Sequence, residues 1–204
     1  SGFLGREGLK NQFQEFDRGN HSRDFKEAFL IKKENNLTEK SCNLYRYHYV
    51  DSYTVPVTST DANGNVTVRT ETKYNHYNRY GIVYDFGLAK NIKVLNDKTP
   101  NNLVDYNSSS IEFSDDFNIG ANSEIEASKF LKPKVVEIIQ KMQTIVSGVN
   151  IEINSFGLMC LSFKDSGLFT SKARFDLSSP KEFLEELSGH TDLNRLERLL
   201  ACIV

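Results

Sequence analysis

From Asn43 onward, residues alternate between two faces with a period of two. Tyr45, Tyr47 and Tyr49 alternate with Arg46, His48 and Val50. After Asp61-Ala62-Asn63-Gly64-Asn65, the residues Val66, Val68, Thr70, Thr72 and Tyr74 alternate with Thr67, Arg69, Glu71 and Lys73. A period of two is that of a strand with one face inward and one toward water. Asn63-Gly64 is a strong hairpin signal, so these runs predict the two arms of a Tyr-rich hairpin. Pro56 has no N–H for a ladder, which predicts an edge or a bulge in the first arm. "RYGIVYDF" (Arg79–Phe86) and "NIKVL" (Asn91–Leu95) read as two further strands.

The flanking segments follow other periods. Leu9, Phe13 and Phe16 stand at i, i+4 and i+7, one face of a short helix ending at Gly19. Ser22 is placed to cap a second helix with Phe25, Ala28 and Phe29 inward, although "AFLI" also suits the start of a strand. "IEFSDDFNI" (Ile111–Ile119) reads as a strand and turn. Ser123 and Glu126 form a capping box before a long apolar-periodic segment. Pro133 interrupts that segment and fits best in the first turn of a second helix. "VNIEINSFGLMCLSF" predicts two strands turning near Asn154–Gly157, the second apolar at nearly every position. Ser179-Pro180 with Glu182, and then Asp192, open helices at the C-terminal end. The expectation is an α+β fold. It has a largely antiparallel sheet with a Tyr-rich hairpin, packed by a Pro-interrupted helix pair and C-terminal helices. Residues 1–42 form an N-terminal helical segment and residues 43–204 a single α+β domain.

Composition narrows the classes. The chain has 204 residues and a net charge of −2, with basic and acidic side chains interspersed. Without a basic block, no nucleic-acid partner is expected. Three widely spaced cysteines, Cys42, Cys160 and Cys202, make no disulfide framework. Cys160 and Cys202 lie in apolar runs and read as core packing. No apolar run reaches the roughly 18–20 residues of a membrane span, and no signal-peptide pattern opens the chain. Ser1 in place of an initiator Met suggests an excised part of something longer.

Candidate chemistry is sparse. Asp85-Phe86-Gly87 matches the magnesium-binding segment of protein kinases, but the Gly-rich loop, the strand lysine and the catalytic loop are missing. The reading is a strand that ends at Gly87. His48 and His76 lie on Tyr-rich strand segments that allow them to be neighbours in the sheet, and a cross-strand polar contact or plain exposure is expected ahead of a metal site. Asp115-Asp116 lacks the spaced third oxygen ligand of a calcium loop and reads as a turn. No catalytic residue, metal ligand or cofactor is expected. "YRYHYV" and "KYNHYNRY" interleave aromatics with bases, as interfaces do. The same pattern also suits stacking on nucleobases or ordinary cross-strand aromatic pairing. On the interface reading, Tyr45, Tyr47, Tyr49, Tyr74 and Tyr77 are the candidate binding residues.

Several stretches carry a resemblance to a known family. "NRYGIVYDF" (Asn78–Phe86) looks like a "GLFFVADF"-type element, and "IEFSDDFNI" like a "LEDPEFEKxFxVY" element. "SEIEASKFLKPKVVEIIQKM" matches a "xxEARYxLTPxxMExIL" helix pair at Glu126-Ala127 and Pro133, and "INSFGLMCLSF" matches a short strand pair. Over residues 43–204 the chain resembles the bacterial domain-of-unknown-function family numbered 3137. Ser128-Lys129 and Lys132 depart from its pattern. The resemblance implies a bacterial protein tethered by upstream transmembrane helices, with its soluble domain at the cytoplasmic face of the inner membrane. Some members are encoded beside LemA-family genes. The family has no established activity, so no site residue carries over. The expectation is a non-enzymatic protein-binding or scaffold module with a protein partner. Two alternatives stand beside it. One is a small enzyme with a dispersed acidic site around Asp85 and Asp115-Asp116. The other is a translocated effector that binds a host protein.

Overall fold

The computed structural model describes residues 8–9, 11–35, 38–168, 178–182, 184 and 194–203. Its strands are β1 (Ser22–Asn35), β2 (Thr38–Thr60), β3 (Val66–Asp85), β4 (Ile92–Leu95), β5 (Val104–Tyr106), β6 (Asn118–Ala121), β7 (Asn150–Ile153) and β8 (Leu158–Phe163). Its helices are α1 (Ile111–Asp116), α2 (Glu124–Phe130), α3 (Pro133–Ile145) and α4 (Asn194–Ile203). The fold is α+β, and the strand order is β1-β2-β3-β8-β7-β4-β6-β5 in one largely antiparallel sheet. The chain divides into two compact units, Ser1–Asn91 with Glu152–Leu161, and Ile92–Ile151 with Ser162–Val204. The boundary expected at residue 42 falls inside β2.

The first unit is dominated by β1, β2 and β3. β2 pairs with β3 from Cys42↔Tyr84 out to Thr60↔Val66. The turn joining them uses the Asn63-Gly64 signal: Gly64 has a φ of +83°, and the Asp61 carboxylate accepts from the Asn63 and Asn65 amides. β1 corrects the expected second helix. Ser22–Asn35 is a strand paired to β2 from Ser22↔Val50 to Asn35↔Thr38, with a bulge between Phe25 and Glu27. The helical spacing of Phe25, Ala28 and Phe29 lost to an open ladder on the neighbouring strand, which takes up the backbone groups on one side of this edge strand. Phe25 is buried while Phe29 is exposed, so the expected inner face is not a single face.

The N-terminal apolar face is right in membership and different in backbone. Leu9, Phe13 and Phe16 are all buried, but Gln14–Phe16 is a 3-10 turn. They pack with Phe25, Tyr45, Tyr47, Val83 and Cys160 into one core. The Phe16 ring centroid lies 5.0 Å from that of Phe25, 5.1 Å from Tyr45 and 5.3 Å from Tyr47. Each such side chain contributes about 1.5–3 kcal/mol by leaving water. β3 ends at Asp85, and Gly87 adopts a φ of +67° as the chain leaves the strand. The amides of Phe86 and Gly87 both donate to the Gly157 carbonyl, each at 3.1 Å. The kinase-like letters therefore mark a strand end held on the β7–β8 turn.

In the second unit, β6 pairs with both β4 and β5. Ile111–Asp116 corrects the expected strand: it is helix α1, and only Asn118–Ala121 is strand. The Ser110 hydroxyl accepts from the Phe113 amide at 3.4 Å, capping the helix, and the Phe113 and Phe117 rings pack 4.8 Å apart. Asp115 and Asp116 lie exposed in the last turn of α1 rather than in a connecting turn. The Pro133 reading holds. Ser123 caps α2 through the Glu126 amide, and Pro133 sits in the first turn of α3. Asp192 and part of the Ser179 helix lie outside the described residues, while α4 is present. No helix among the described residues is long and apolar enough to cross a membrane.

Candidate interaction surface

Position along the β2–β3 ladder divides the five candidate tyrosines: Tyr45, Tyr47, Tyr49 and Tyr77 share one face, and burial falls from Tyr45 and Tyr47 toward the Tyr49↔Tyr77 pair. Tyr45 and Tyr47 are 1% and 0% exposed and belong to the aromatic core. The Tyr47 hydroxyl donates to the Phe16 carbonyl at 2.6 Å, and burial pushes its pKa up to about 12. The Tyr45 hydroxyl lies 3.3 Å from the Cys160 sulfur. Burial pushes both groups well above their ordinary values, so Cys160 stays a thiol and is no nucleophile. Tyr49 is half-buried and stacks on Tyr77, with centroids 5.1 Å apart. Tyr77 and Tyr74 are 41% and 48% exposed. Tyr53, which lies outside the two Tyr-rich segments, is 44% exposed. Tyr45 and Tyr47 thus hold up the sheet, and Tyr53, Tyr74 and Tyr77 present rings to the surroundings.

A buried charge cluster supports this surface from beneath. Arg79 pairs with Tyr47 across the strands and turns into the same core, only 1% exposed. A guanidinium there requires a counter-charge. Glu15, on the 3-10 turn, accepts from Arg79 Nε at 2.8 Å and from Arg18 at 3.0 and 2.8 Å. Burial acts to raise the Glu15 pKa, but Arg79 and then Arg18 outweigh it and hold the carboxyl below its ordinary value. Glu152 on β7 accepts from the Gln14 and Glu15 amides at 2.7 and 2.6 Å, fixing the start of the turn. Isolated Glu, Arg and Glu letters 64 to 137 residues apart carry no spacing signal, so the sequence reading missed this cluster.

The hairpin outruns its support. β1 begins pairing at Ser22↔Val50, so from Asp51↔Asn75 to Thr60↔Val66 the ladder has two strands only among the described residues. Those ten pairs extend about 30 Å at the strand rise. At the root, the Asn20 side chain copies a strand partner: its amide donates to the Ser52 carbonyl at 2.9 Å and its oxygen accepts from the Ser52 amide at 2.7 Å. Beyond it, every residue from Val66 to Tyr77 is exposed, so neither face of the arm is covered.

Cross-strand register separates the two faces. One carries Ser52, Thr54, Pro56, Thr58 and Thr60 opposite Tyr74, Thr72, Thr70, Val68 and Val66, without a single charge. The other carries Asp51, Tyr53, Val55, Val57 and Ser59 opposite Asn75, Lys73, Glu71, Arg69 and Thr67. The uncharged face loses only hydroxyl hydration on contact, and the charged face can set partner choice.

At the arm's root a chain of polar contacts runs across the three strands. Arg46 donates from Nη1 to Glu27 at 3.0 Å and from Nε to the Asn78 side-chain oxygen at 3.3 Å. The same Asn78 oxygen lies 3.3 Å from His48 Nδ1, and His48 Nε2 lies 3.2 Å from His76 Nδ1. The two histidines expected to be neighbours do meet. Asp85 is exposed at the end of β3, and no cluster of three or more His, Cys, Asp or Glu side chains suited to a metal occurs among the described residues. No family model, no curated protein and no solved structure matches the chain.

Proposed function

We propose that this chain is a non-enzymatic protein-binding or scaffold module whose β2–β3 arm is the contact element. The observation that carries the proposal is the two-stranded ladder from Asp51↔Asn75 to Thr60↔Val66, with β3 exposed throughout Val66–Tyr77. A hairpin without a third strand or a packed face is marginal in water, so the arm gains order when a partner covers a face. Tyr53, Tyr74 and Tyr77 supply the exposed aromatic rings that protein interfaces favour. The resemblance to the bacterial family adds a setting: a domain at the cytoplasmic face of the inner membrane, held there by segments upstream of this chain.

The test shortens the arm. Asp51 is joined to Asn75, its cross-strand partner, through an Asp-Ala-Asn-Gly turn. The shortened and native forms are compared by in-cell cross-linking with quantitative mass spectrometry. The expected result is loss of the principal cross-linked protein with thermal unfolding unchanged. Cross-linking to the same proteins at the same yield refutes the proposal.

A further inference from the structure

We infer that His48 and His76 form a two-imidazole site for a divalent transition-metal ion such as zinc. Histidine spacing along the chain predicts no metal; the register of β2 and β3 brings the two rings together. His48 pairs with Asn78 and Val50 with His76, so the two histidines are diagonal neighbours on one face of the sheet. Their nitrogens lie 3.2 Å apart, and their rings are inclined at 21° with centroids 5.4 Å apart. Zinc–imidazole bonds of about 2.0–2.1 Å in a tetrahedron place two nitrogens about 3.3 Å apart. The observed 3.2 Å is the length of the hydrogen bond that joins the rings in the ion-free chain, and it is near the spacing that two ligands of a tetrahedral ion require.

The surrounding contacts settle which nitrogen is a lone pair. Arg46 Nε can only donate, so the Asn78 atom it meets is the carbonyl oxygen. That oxygen can only accept, so His48 holds its proton on Nδ1, the nitrogen facing Asn78. His48 Nε2 is then an unprotonated acceptor directed at His76. This is the second-shell arrangement of a metal-ligating histidine, with one ring nitrogen donating to a fixed carbonyl and the other left to bind. In the ion-free chain His76 Nδ1–H donates to His48 Nε2. On binding, the His76 proton moves from Nδ1 to Nε2 through exchange with water, which presents two lone pairs to the ion without net proton release. Asp24, the cross-strand partner of His48 on β1, is paired with Lys26 at 3.1 Å, and no third protein ligand stands with the two rings among the described residues. Water or a partner's side chain completes the coordination.

This site is independent of the arm's proposed role. The test titrates the tag-free chain with zinc chloride in a non-coordinating buffer by calorimetry. His48→Gln and His76→Gln serve as variants, and long-range proton–nitrogen NMR of the native chain reports each ring nitrogen. The expected result is one zinc per chain, at least tenfold weaker binding in each variant, and zinc-induced shifts at His48 Nε2 and His76 Nδ1. Equal binding by native and variant chains, with the NMR shifts confined to His21 or His190, overturns the inference. So does the absence of native binding up to millimolar zinc.

Discussion

Glu15→Gln tests the charge cluster that holds the N-terminal turn against the sheet. The substitution keeps the shape and removes a carboxylate that accepts from both Arg79 and Arg18. Gln has a single acceptor oxygen, so its amide group must face a guanidinium. Glu15 and Arg79 are each 1% exposed, so water does not screen the loss. Breaking a buried ion pair on one side costs about 3–5 kcal/mol. A domain of this kind is stable by about 5–15 kcal/mol, so the change removes about a fifth or more of a typical margin. With a urea dependence of about 2 kcal/mol per molar, the midpoint of the first unit falls by about 2 M. Equilibrium urea unfolding, followed by tyrosine fluorescence and circular dichroism, measures the shift. Glu15→Gln with Arg79→Met removes both partners and recovers part of the loss. A midpoint within about 0.5 M of the native chain refutes the reasoning, because it corresponds to only about 1 kcal/mol. The pH dependence has a definite sign. The folded Glu15 pKa lies below the unfolded value, so its contribution is complete above the ordinary glutamate pKa of about 4.3. It is lost as pH falls through the depressed folded value, and Glu15→Gln shows a flatter acid limb.

Gly81→Ala destabilises the first unit by about 1–3 kcal/mol or more, read from the same urea transition. An added Cβ would meet the Tyr45 hydroxyl at 2.4 Å and the Leu161 carbonyl at 2.5 Å, and a midpoint equal to native contradicts that close approach. Cys160 reacts with a thiol reagent only as the first unit unfolds, because it is buried and held as a thiol, whereas half-buried Cys42 and Cys202 react earlier. Labelling of Cys160 at the rate of Cys202 in native conditions is the contrary result. Thr70→Lys, on the exposed arm, leaves the unfolding midpoint within about 0.5 kcal/mol of native, and a larger loss means that the arm is packed.

Local signals carried much of this architecture. The Asn63-Gly64 hairpin, the Ser123 cap, the Pro133 helix start and the Asn154–Gly157 turn each depend on residues adjacent in the chain, and each is present. Two elements were misread, each for a different reason. Phe25, Ala28 and Phe29 have helical spacing, and "IEFSDDFNI" has strand-like composition. Pairing with β2 and capping by Ser110 decided them instead. The surface was legible only in part. Tyr45 and Tyr77 look alike in the letters, and what separates them is that Tyr45 pairs with Gly81 over the core whereas Tyr77 pairs with Tyr49 near the last supported rung. The Arg46–Asn78–His48–His76 relay depends on a register that no local window contains.

The most direct test of the central claim places a photo-cross-linking amino acid at single positions in the native, full-length protein in its own cells. Tyr53, Thr58 and Tyr74 sample the arm, and Glu137, exposed on α3, serves as the control. The account predicts a discrete cross-linked protein partner from the arm positions and none from Glu137. Arm positions that yield no cross-link above Glu137 contradict it.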